Sequence, residues 1–331
     1  MYTLGINLSH HSSIALLKDN EVLLFLHEER VNRKKYYQGI PYKALDLVKN
    51  YTKCIDFISC ISGHPKHLVE IVKYLEQQEV KVLANKCDSS KHHLAHAAAG
   101  FYMSHFDEAT IFVVDGAGAI ERFNTNYKVS ETTSTYSGKF PNISCYDKKF
   151  VVGLYEKPPI NITDAEIVNF KNKYSDINVT VTTKHDIGWQ YATVTSEIGF
   201  GVFGEGKTMG LSAYGQPGSS DNNAIKAYAI QKELEISFVT MIAKAKCNNI
   251  VLSGGCALNI LGNSKIKSFY PDLNIFVDPI AADGTIALGA AAYYYYSNSQ
   301  DKNKLKFGPY LGPQYILSKD YIYECSRKYS I

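Results

Sequence analysis

The chain has little of what marks a secreted, membrane-spanning or fibrous protein. Its seven cysteines are odd in number and form no CxxC pair, so we expect neither a disulfide framework nor a zinc ribbon, and we predict a reducing, cytoplasmic compartment. No apolar run approaches the ~18 residues of a membrane span, and the start lacks the basic and apolar segments of a secretory leader. The net charge of +3 permits a nucleic-acid partner without requiring one.

What is present is ordinary globular composition. Hydrophobic residues make up 45% and charged residues 20% of the 331 residues, which excludes disordered, collagenous and coiled-coil classes. A chain of this length holds two domains or one large bilobal one.

Two distant segments open with the same pattern, a strand that ends in a small polar loop. In the first, strands are predicted at residues 3–7, 13–17 and 22–27, with the polar loop 8–12 after the first of them. In the second, an apolar strand at 110–115 leads into a Gly-Ala-Gly turn. Duplicated halves that open in this way are the architecture of the actin/hexokinase/Hsp70 superfamily, in which nucleotide phosphates lie between two such loops.

The C-terminal part has alternating strands and helices. Its predicted elements are helices at 188–200 and 223–247, a strand at 249–253, a helix at 256–268, a strand at 274–278 and a helix at 284–296. This order favours an α/β sheet with helices packed on it. We therefore predict a duplicated, bilobal α/β fold whose parts are a first half at 1–109, a second half at 110–306 with a β-rich insertion near 121–186, and a linker-like tail at 307–331.

A pair of histidines is the strongest local feature. His92 and His96 are four residues apart on a predicted helix, so both imidazoles project from one face and can bind one metal ion. Asp115 at a strand end and Asp283 at a helix start could add carboxylates. Such a set suits Fe(II), Mn(II) or Zn(II), with iron favoured if coordination positions stay open. The alternative is that the histidines are surface or capping residues and the aspartates are caps.

Three glycine-rich turns could admit a nucleotide. They place backbone amides where a phosphate or an adenine can approach, and none has the Walker A spacing, although Lys207 lies in one of them. The residues predicted to contact a nucleotide are Gly116, Gly118, Gly204, Gly206, Gly254, Gly255 and Asn259. A charged run at 28–35 is either a solvated face or a grip for a phosphate.

Taken together, these motifs resemble the carbamoyltransferase family of NodU and CmcH, which carbamoylates hydroxyl groups of nodulation factors and antibiotics. The matching segments follow one another in order through most of the chain, at residues 4–17, 28–35, 92–99, 114–118, 204–215, 253–263 and 279–291.

The resemblance implies a domain, similar to the tRNA threonylcarbamoyltransferase, that binds an adenylate and a divalent metal, usually Fe(II), with Mg²⁺ as an additional candidate. A YrdC-like domain makes carbamoyl-adenylate from carbamoyl phosphate and ATP, and the first domain transfers the carbamoyl group to an acceptor hydroxyl and releases AMP. By this resemblance the metal ligands are His92, His96 and Asp283, with Asp115 as a further ligand. His10 matches a general base.

The resemblance leaves other roles less specific. Arg33 and Lys207 are expected to hold phosphate or carbamoyl oxygens. Only residues 316–331 follow the segment that resembles the bridge into the YrdC-like domain, too few for that domain. We therefore expect carbamoyl-adenylate to come from a YrdC-like subunit or from a part of the protein beyond this chain.

The acceptor is expected to be an alcohol, on a sugar, an antibiotic, a nucleotide or a hydroxymethylated DNA base. The alternative functions are a tRNA threonylcarbamoyltransferase-like enzyme and a non-catalytic scaffold subunit.

Overall fold

The computed structural model describes residues 1–61, 63–155, 162–308, 311–313, 323 and 326–328. The strands within them are β1 (Tyr2–Asn7), β2 (Ser13–Lys18), β3 (Glu21–His27), β4 (Cys54–Ile55), β5 (Phe57–Ile61), β6 (Lys81–Val82), β7 (Asn85–Cys87), β8 (Glu108–Val114), β9 (Ile120–Arg122), β10 (Lys128–Lys139), β11 (Asn142–Val152), β12 (Asn178–Thr182), β13 (Asn249–Ser253) and β14 (Asn274–Val277).

The helices within the same residues are α1 (Glu28–Asn32), α2 (Tyr42–Leu45), α3 (Pro65–Gln77), α4 (His92–Ser104), α5 (Asp164–Lys171), α6 (Ile187–Glu197), α7 (Glu205–Leu211), α8 (Asn222–Ile242), α9 (Ile260–Phe269) and α10 (Ile286–Asn298). Short 3₁₀ turns occur at Val48–Asn50, Ser89–Lys91, Ser212–Tyr214, Gly255–Leu258 and Asp283–Thr285. Among the described helices, none combines the length and the apolar character needed to cross a bilayer.

The two main sheets repeat one topology. The first has the strand order β3-β2-β1-β5-β7, and the second has the order β12-β11-β10-β8-β13-β14 with β9 paired to β10. In both, two antiparallel pairings are followed by two parallel ones, so β11-β10-β8-β13-β14 repeats β3-β2-β1-β5-β7 in order and direction. The predicted duplicated α/β fold is confirmed by this repeat.

The stretch 121–186, expected as an insertion, instead supplies central strands of the second sheet. β10 pairs with β8 and with β11, in the positions that β2 and β3 occupy in the first sheet. The prediction of an insertion was wrong for these strands. Much of β10 is buried on both faces, and its pairing with β11 shifts register twice, so the alternating pattern that identifies a half-buried strand is lost.

Two helices lie between the sheets and join the halves. α4, which follows the first sheet in the chain, packs on β8 and β13 of the second, whereas α10 near the other end packs on β1 and β2 of the first. Small residues let the two helices approach closely: a Cβ atom on Gly289 would lie 1.8 Å from the carbonyl oxygen of Ala95. The alanine-rich sides of α4 and α10 belong to one buried core with β2 and β8.

Lys306 and Leu311 lie along the outer edge of β3. The Lys306 amide donates to the Asn20 carbonyl at 2.7 Å, and the Val22 amide donates to the Lys306 carbonyl at 2.9 Å. Farther along, the Phe25 amide donates to the Leu311 carbonyl at 2.8 Å. The start of the predicted linker-like tail is therefore held against the first sheet. Residues 309–310, 314–322, 324–325 and 329–331 of the tail lie outside the described residues.

Candidate active site

Four side chains from distant parts of the chain converge between the two sheets. His92 and His96 project from one face of α4, Asp115 follows β8, and Asp283 begins the turn that leads into α10. One potential ligand atom from each lies within 4.8 Å of all the others. The His92 Nε2 atom is 3.3 Å from Asp115 Oδ2, and His96 Nε2 is 3.6 Å from one carboxylate oxygen of each aspartate.

His92, His96 and Asp283 are buried and Asp115 is partly buried, so the negative charge of the two carboxylates favours a positive charge beside them. Burial alone would lower the pKa of His92, but the carboxylates of Asp283 and Asp115 outweigh it and raise the pKa to about 10. Both ring nitrogens of His96 are buried without a hydrogen-bond partner, a costly arrangement that a ligand to Nε2 would relieve. Two imidazoles and two carboxylates, with an orphaned imidazole nitrogen, fit Fe(II), Mn(II) or Zn(II).

Asp283 also receives contacts from the first polar loop. The Ser9 hydroxyl donates to Asp283 Oδ2 at 2.5 Å, and His10 Nε2 lies 3.3 Å from the same oxygen. The Asn7 side-chain amide donates to the Asp283 carbonyl at 2.9 Å. The end of β1 and the loop after it therefore fix the turn that carries Asp283. Of these residues, only His10 was singled out from the sequence, because nothing local to Asn7 or Ser9 shows a contact made more than 270 residues away.

His10 lies at the accessible side of this cluster. Its side chain is 38% exposed, whereas the Asp283 side chain is 6% exposed. The Nδ1 atoms of His10 and His11 are 2.9 Å apart, so one ring donates a hydrogen bond to the other. Burial, and then the neighbouring His10, lowers the pKa of His11. The two rings therefore form a hydrogen-bonded pair beside Asp283.

Two of the glycine turns adjoin Asp115, because β8 and β13 are parallel neighbours and end together. The Gly116 amide donates to Asp115 Oδ1 at 2.8 Å, and a Cβ atom on Gly255 would lie 3.1 Å from the same oxygen. Gly254 has φ +86°, and a Cβ atom there would lie 2.5 Å from the Val114 carbonyl oxygen, so this turn requires glycine. Gly118 adjoins the ring of His93.

Other predicted contact residues lie elsewhere. Gly204 and Gly206 are at the start of α7, and Lys207 places its Nζ atom 5.9 Å from the centre of the Phe200 ring. Arg33 is exposed at the end of α1. Among the described residues, no hydrogen bond, ion pair or ring contact links Gly204, Gly206, Lys207 or Arg33 to the four-residue cluster, and their predicted roles stay predictions.

Asn259 and the charged run at 28–35 have structural partners. The Asn259 side-chain oxygen accepts from the Gly262 amide at 2.8 Å at the start of α9, and its amide donates to Gln231 at 2.9 Å. Glu28 is not part of a solvated face: it is buried and accepts from the Ala44 amide at 2.9 Å. A nucleotide contact is not needed to explain either side chain.

A buried network behind the cluster was not predicted. His93 Nδ1 lies 2.9 Å from the Ser134 hydroxyl, which donates to Glu131 at 2.6 Å, and Lys148 Nζ is 2.6 Å from the same carboxylate. The Glu131 carbonyl accepts from the Gly118 amide at 2.7 Å. The network thus connects α4 with the loop after Asp115. In the sequence, the network is visible only as a lysine and a glutamate on polar strands, and such residues are usually solvated.

Comparison with known proteins places the chain in a family. The model of the carbamoyltransferase N-terminus matches residues 43–233 and 228–292, and the chain belongs to this family. The uncharacterized protein MJ1051 of Methanocaldococcus jannaschii is 28% identical over 87% of this chain and 56% of its own length. The nodulation protein NolNO of Sinorhizobium fredii is 22% identical over 85% of this chain and 46% of its own length. The chain spans about half the length of these relatives.

Solved structures support the fold class. Full-length HypF in its phosphate- and nucleotide-bound form has a TM-score of 0.52 at 11% identity, over 89% of this chain and 46% of that one. HypF of T. kodakarensis has a TM-score of 0.51 at 13% identity, over 89% and 48% of the two chains. These likenesses agree with the actin/hexokinase-like fold.

Proposed function

We propose that this chain is the carbamoyl-transferring part of an O-carbamoyltransferase. In this proposal, carbamoyl-adenylate comes from a YrdC-like subunit or domain that uses carbamoyl phosphate and ATP. The acceptor oxygen attacks the carbamoyl carbon, the bond from that carbon to the phosphate oxygen breaks, and AMP leaves. The acceptor proton passes to His10. Family membership supports the group transferred, and the relative NolNO is a nodulation protein.

The observation that carries the proposal is the convergence of His92, His96, Asp115 and Asp283 beside His10. These four would hold a divalent cation, Fe(II) in the first instance, which supplies positive charge that lowers the cost of the departing phosphate. In this proposal the nucleotide lies at the ends of β8 and β13, next to Gly116, where a Cβ atom would have no atom beyond those of its chain neighbours within 4 Å.

In this proposal His10 takes the proton of the acceptor hydroxyl, and His11 holds the His10 ring by a hydrogen bond. An alcohol is a weak nucleophile, and an imidazole suits removal of its proton. Because the ionised Asp283 carboxylate can only accept, its contact with His10 Nε2 has His10 donating, and His10 Nδ1 then accepts from His11 Nδ1. To take the acceptor proton at Nε2, His10 adopts the other tautomer, in which its Nδ1 donates to His11 Nδ1. Because the pKa of His11 is lowered, His11 stays neutral and can accept this hydrogen bond.

The test reconstitutes the reaction. The purified chain is incubated with a YrdC-type partner, carbamoyl phosphate, ATP, Fe(II) and a panel of sugars, nucleosides and aminoglycosides, and carbamate products and AMP are detected by mass spectrometry. We expect a carbamate that disappears in His10→Gln and His96→Gln. His67→Gln, an exposed histidine on α3, is the matched control and should retain activity.

Two results would contradict the proposal. Metal and nucleotide binding without a carbamate on any acceptor would exclude transfer to these alcohols. A product on tRNA that forms only when threonine is added would favour the threonylcarbamoyltransferase alternative.

A further inference from the structure

Three aromatic rings meet beside His10. Phe203 lies 4.7 Å from His10, 4.6 Å from Tyr36 and 5.5 Å from His11, measured between ring centres. The His11 and Tyr36 rings are 5.1 Å apart, nearly perpendicular to each other. We call His11, Tyr36 and Phe203 the aromatic wall. None of the three belongs to a buried hydrophobic core of the described residues, and each keeps part of its surface exposed.

All three residues of the wall have a strained backbone. Their φ angles are +60°, +58° and +63°, in the left-handed region that L side chains rarely adopt, and they account for three of the seven such non-glycine residues described. Strain of this kind persists only where the surroundings enforce it, and it concentrates at sites of function. Ring packing alone could be achieved on relaxed backbone.

The wall is assembled from both halves of the fold. His11 lies in the loop after β1, and Tyr36 follows α1, where its amide donates to Glu29 at 2.8 Å. Phe203 comes from the other half, in the loop between α6 and α7, next to Val202, whose side chain is 76% exposed. The wall therefore connects the two halves and contacts His10, the side chain that faces the acceptor in the proposed reaction.

We propose that the aromatic wall binds the acceptor, and that the acceptor carries a ring whose flat face packs on Phe203 and Tyr36 while its hydroxyl reaches His10. This inference rests on the proposed function, because His10 defines where the acceptor hydroxyl lies. Half-exposed rings contact the apolar face of a sugar or of a nucleobase, and they gain less from an acyclic polyol, which has no such face.

The test measures binding separately from transfer. Saturation-transfer-difference NMR on the full chain uses three probes: methyl β-D-glucopyranoside, uridine and glycerol. The variants are Phe203→Leu and Tyr36→Leu, with Phe203→Tyr to restore the ring and Val202→Ala as the control in the same loop. Thermal unfolding of each variant verifies folding. Signals on the uracil protons of uridine, compared with signals on the sugar protons of uridine and of the glucopyranoside, distinguish a nucleobase from a sugar.

We expect ring-proton signals from one of the ring-bearing probes, lost in the two leucine variants and kept in the other two. Where the chain transfers a carbamoyl group, KM for a ring-bearing acceptor should rise about twofold to tenfold per lost ring, with kcat nearly unchanged. Equal signals in wild type and leucine variants, or no ring-proton signal from the wild type, would overturn the inference. If the ring-bearing probes bind through the wall but no carbamate forms in the transfer assay, the proposed function is refuted and the wall remains a binding site.

Discussion

Removing one hydroxyl beside the cluster of His92, His96, Asp115 and Asp283 should weaken the metal binding that we propose for it, without removing any of the four proposed ligands. In Ser9→Ala the 2.5 Å hydrogen bond to Asp283 Oδ2 is lost, while His92, His96 and Asp115 remain. A hydrogen bond to a charged group contributes about 1.5–3 kcal/mol, so the loss of affinity is at most roughly 10- to 150-fold. Changes in the partners that orient metal ligands have effects of about this size.

The assay is a competition titration. Metal-free protein is titrated anaerobically with Fe(II), and with Co(II) as a coloured substitute, against a chelator of known affinity. Ser13→Ala is the matched control, because the Ser13 hydroxyl donates at 2.7 Å to the carbonyl of Gly284, the residue after Asp283. That variant disturbs the same turn without touching the carboxylate. We expect its metal affinity to stay within about twofold of wild type, since the hydrogen bond that it loses is to a neutral carbonyl.

Two results would refute the reasoning. If Ser9→Ala binds metal as tightly as wild type, the hydroxyl does not orient the carboxylate. If both serine variants lose affinity equally, the effect comes from general loosening of the turn.

Three further predictions concern stability. Burial, with the nearby His11, lowers the pKa of His27 to about 4 from 6.5, so the stability that this residue contributes is complete above pH 6.5 and falls by up to about 3 kcal/mol as the pH drops through 4. Urea unfolding across this range should show the slope, and His27→Phe should flatten it. Lys148→Met leaves the buried Glu131 carboxylate without its lysine and should lower the free energy of unfolding in urea by about 3–5 kcal/mol. Adding Glu131→Gln should recover most of this loss, and no recovery would contradict the pairing. Gly254→Ala should lower the free energy of unfolding by about 1–3 kcal/mol and so lower the melting temperature. An unchanged melting temperature would contradict the requirement for glycine in this left-handed turn.

Parts of the fold with a clear local pattern were predictable from the sequence. The apolar run 249–253 is bounded by polar residues and two glycines, and the strand β13 has these bounds. The spacing of His92 and His96 placed both on one face of a helix, where the structure has them. Helical periodicity likewise located α8 and α10 to within a few residues, because both have a continuous buried side.

Contacts set by topology were not predictable from local pattern. That Asp115 and Asp283 meet the two histidines was implied by the family resemblance, since their approach depends on how β8 and α10 are arranged by the whole fold. β10 is rich in threonine and serine, so its sequence looked like a polar insertion although most of the strand is buried in the sheet. Asn259 caps α9, a role that the sequence does not distinguish from nucleotide binding, and its nucleotide contact stays a prediction.

The residues that hydrogen-bond along the edge of β3, Lys306 and Leu311, also cover the outer strand of the first sheet. An uncovered outer strand presents a row of free amides and carbonyls that can recruit a strand from another molecule. Here the amides of Val22 and Phe25 are occupied by carbonyls of Lys306 and Leu311, and Leu305 is buried nearby. A version shortened to end before residue 304 should therefore keep the four-residue cluster of His92, His96, Asp115 and Asp283 yet self-associate as its concentration rises, an outcome that would make these residues a determinant of solubility.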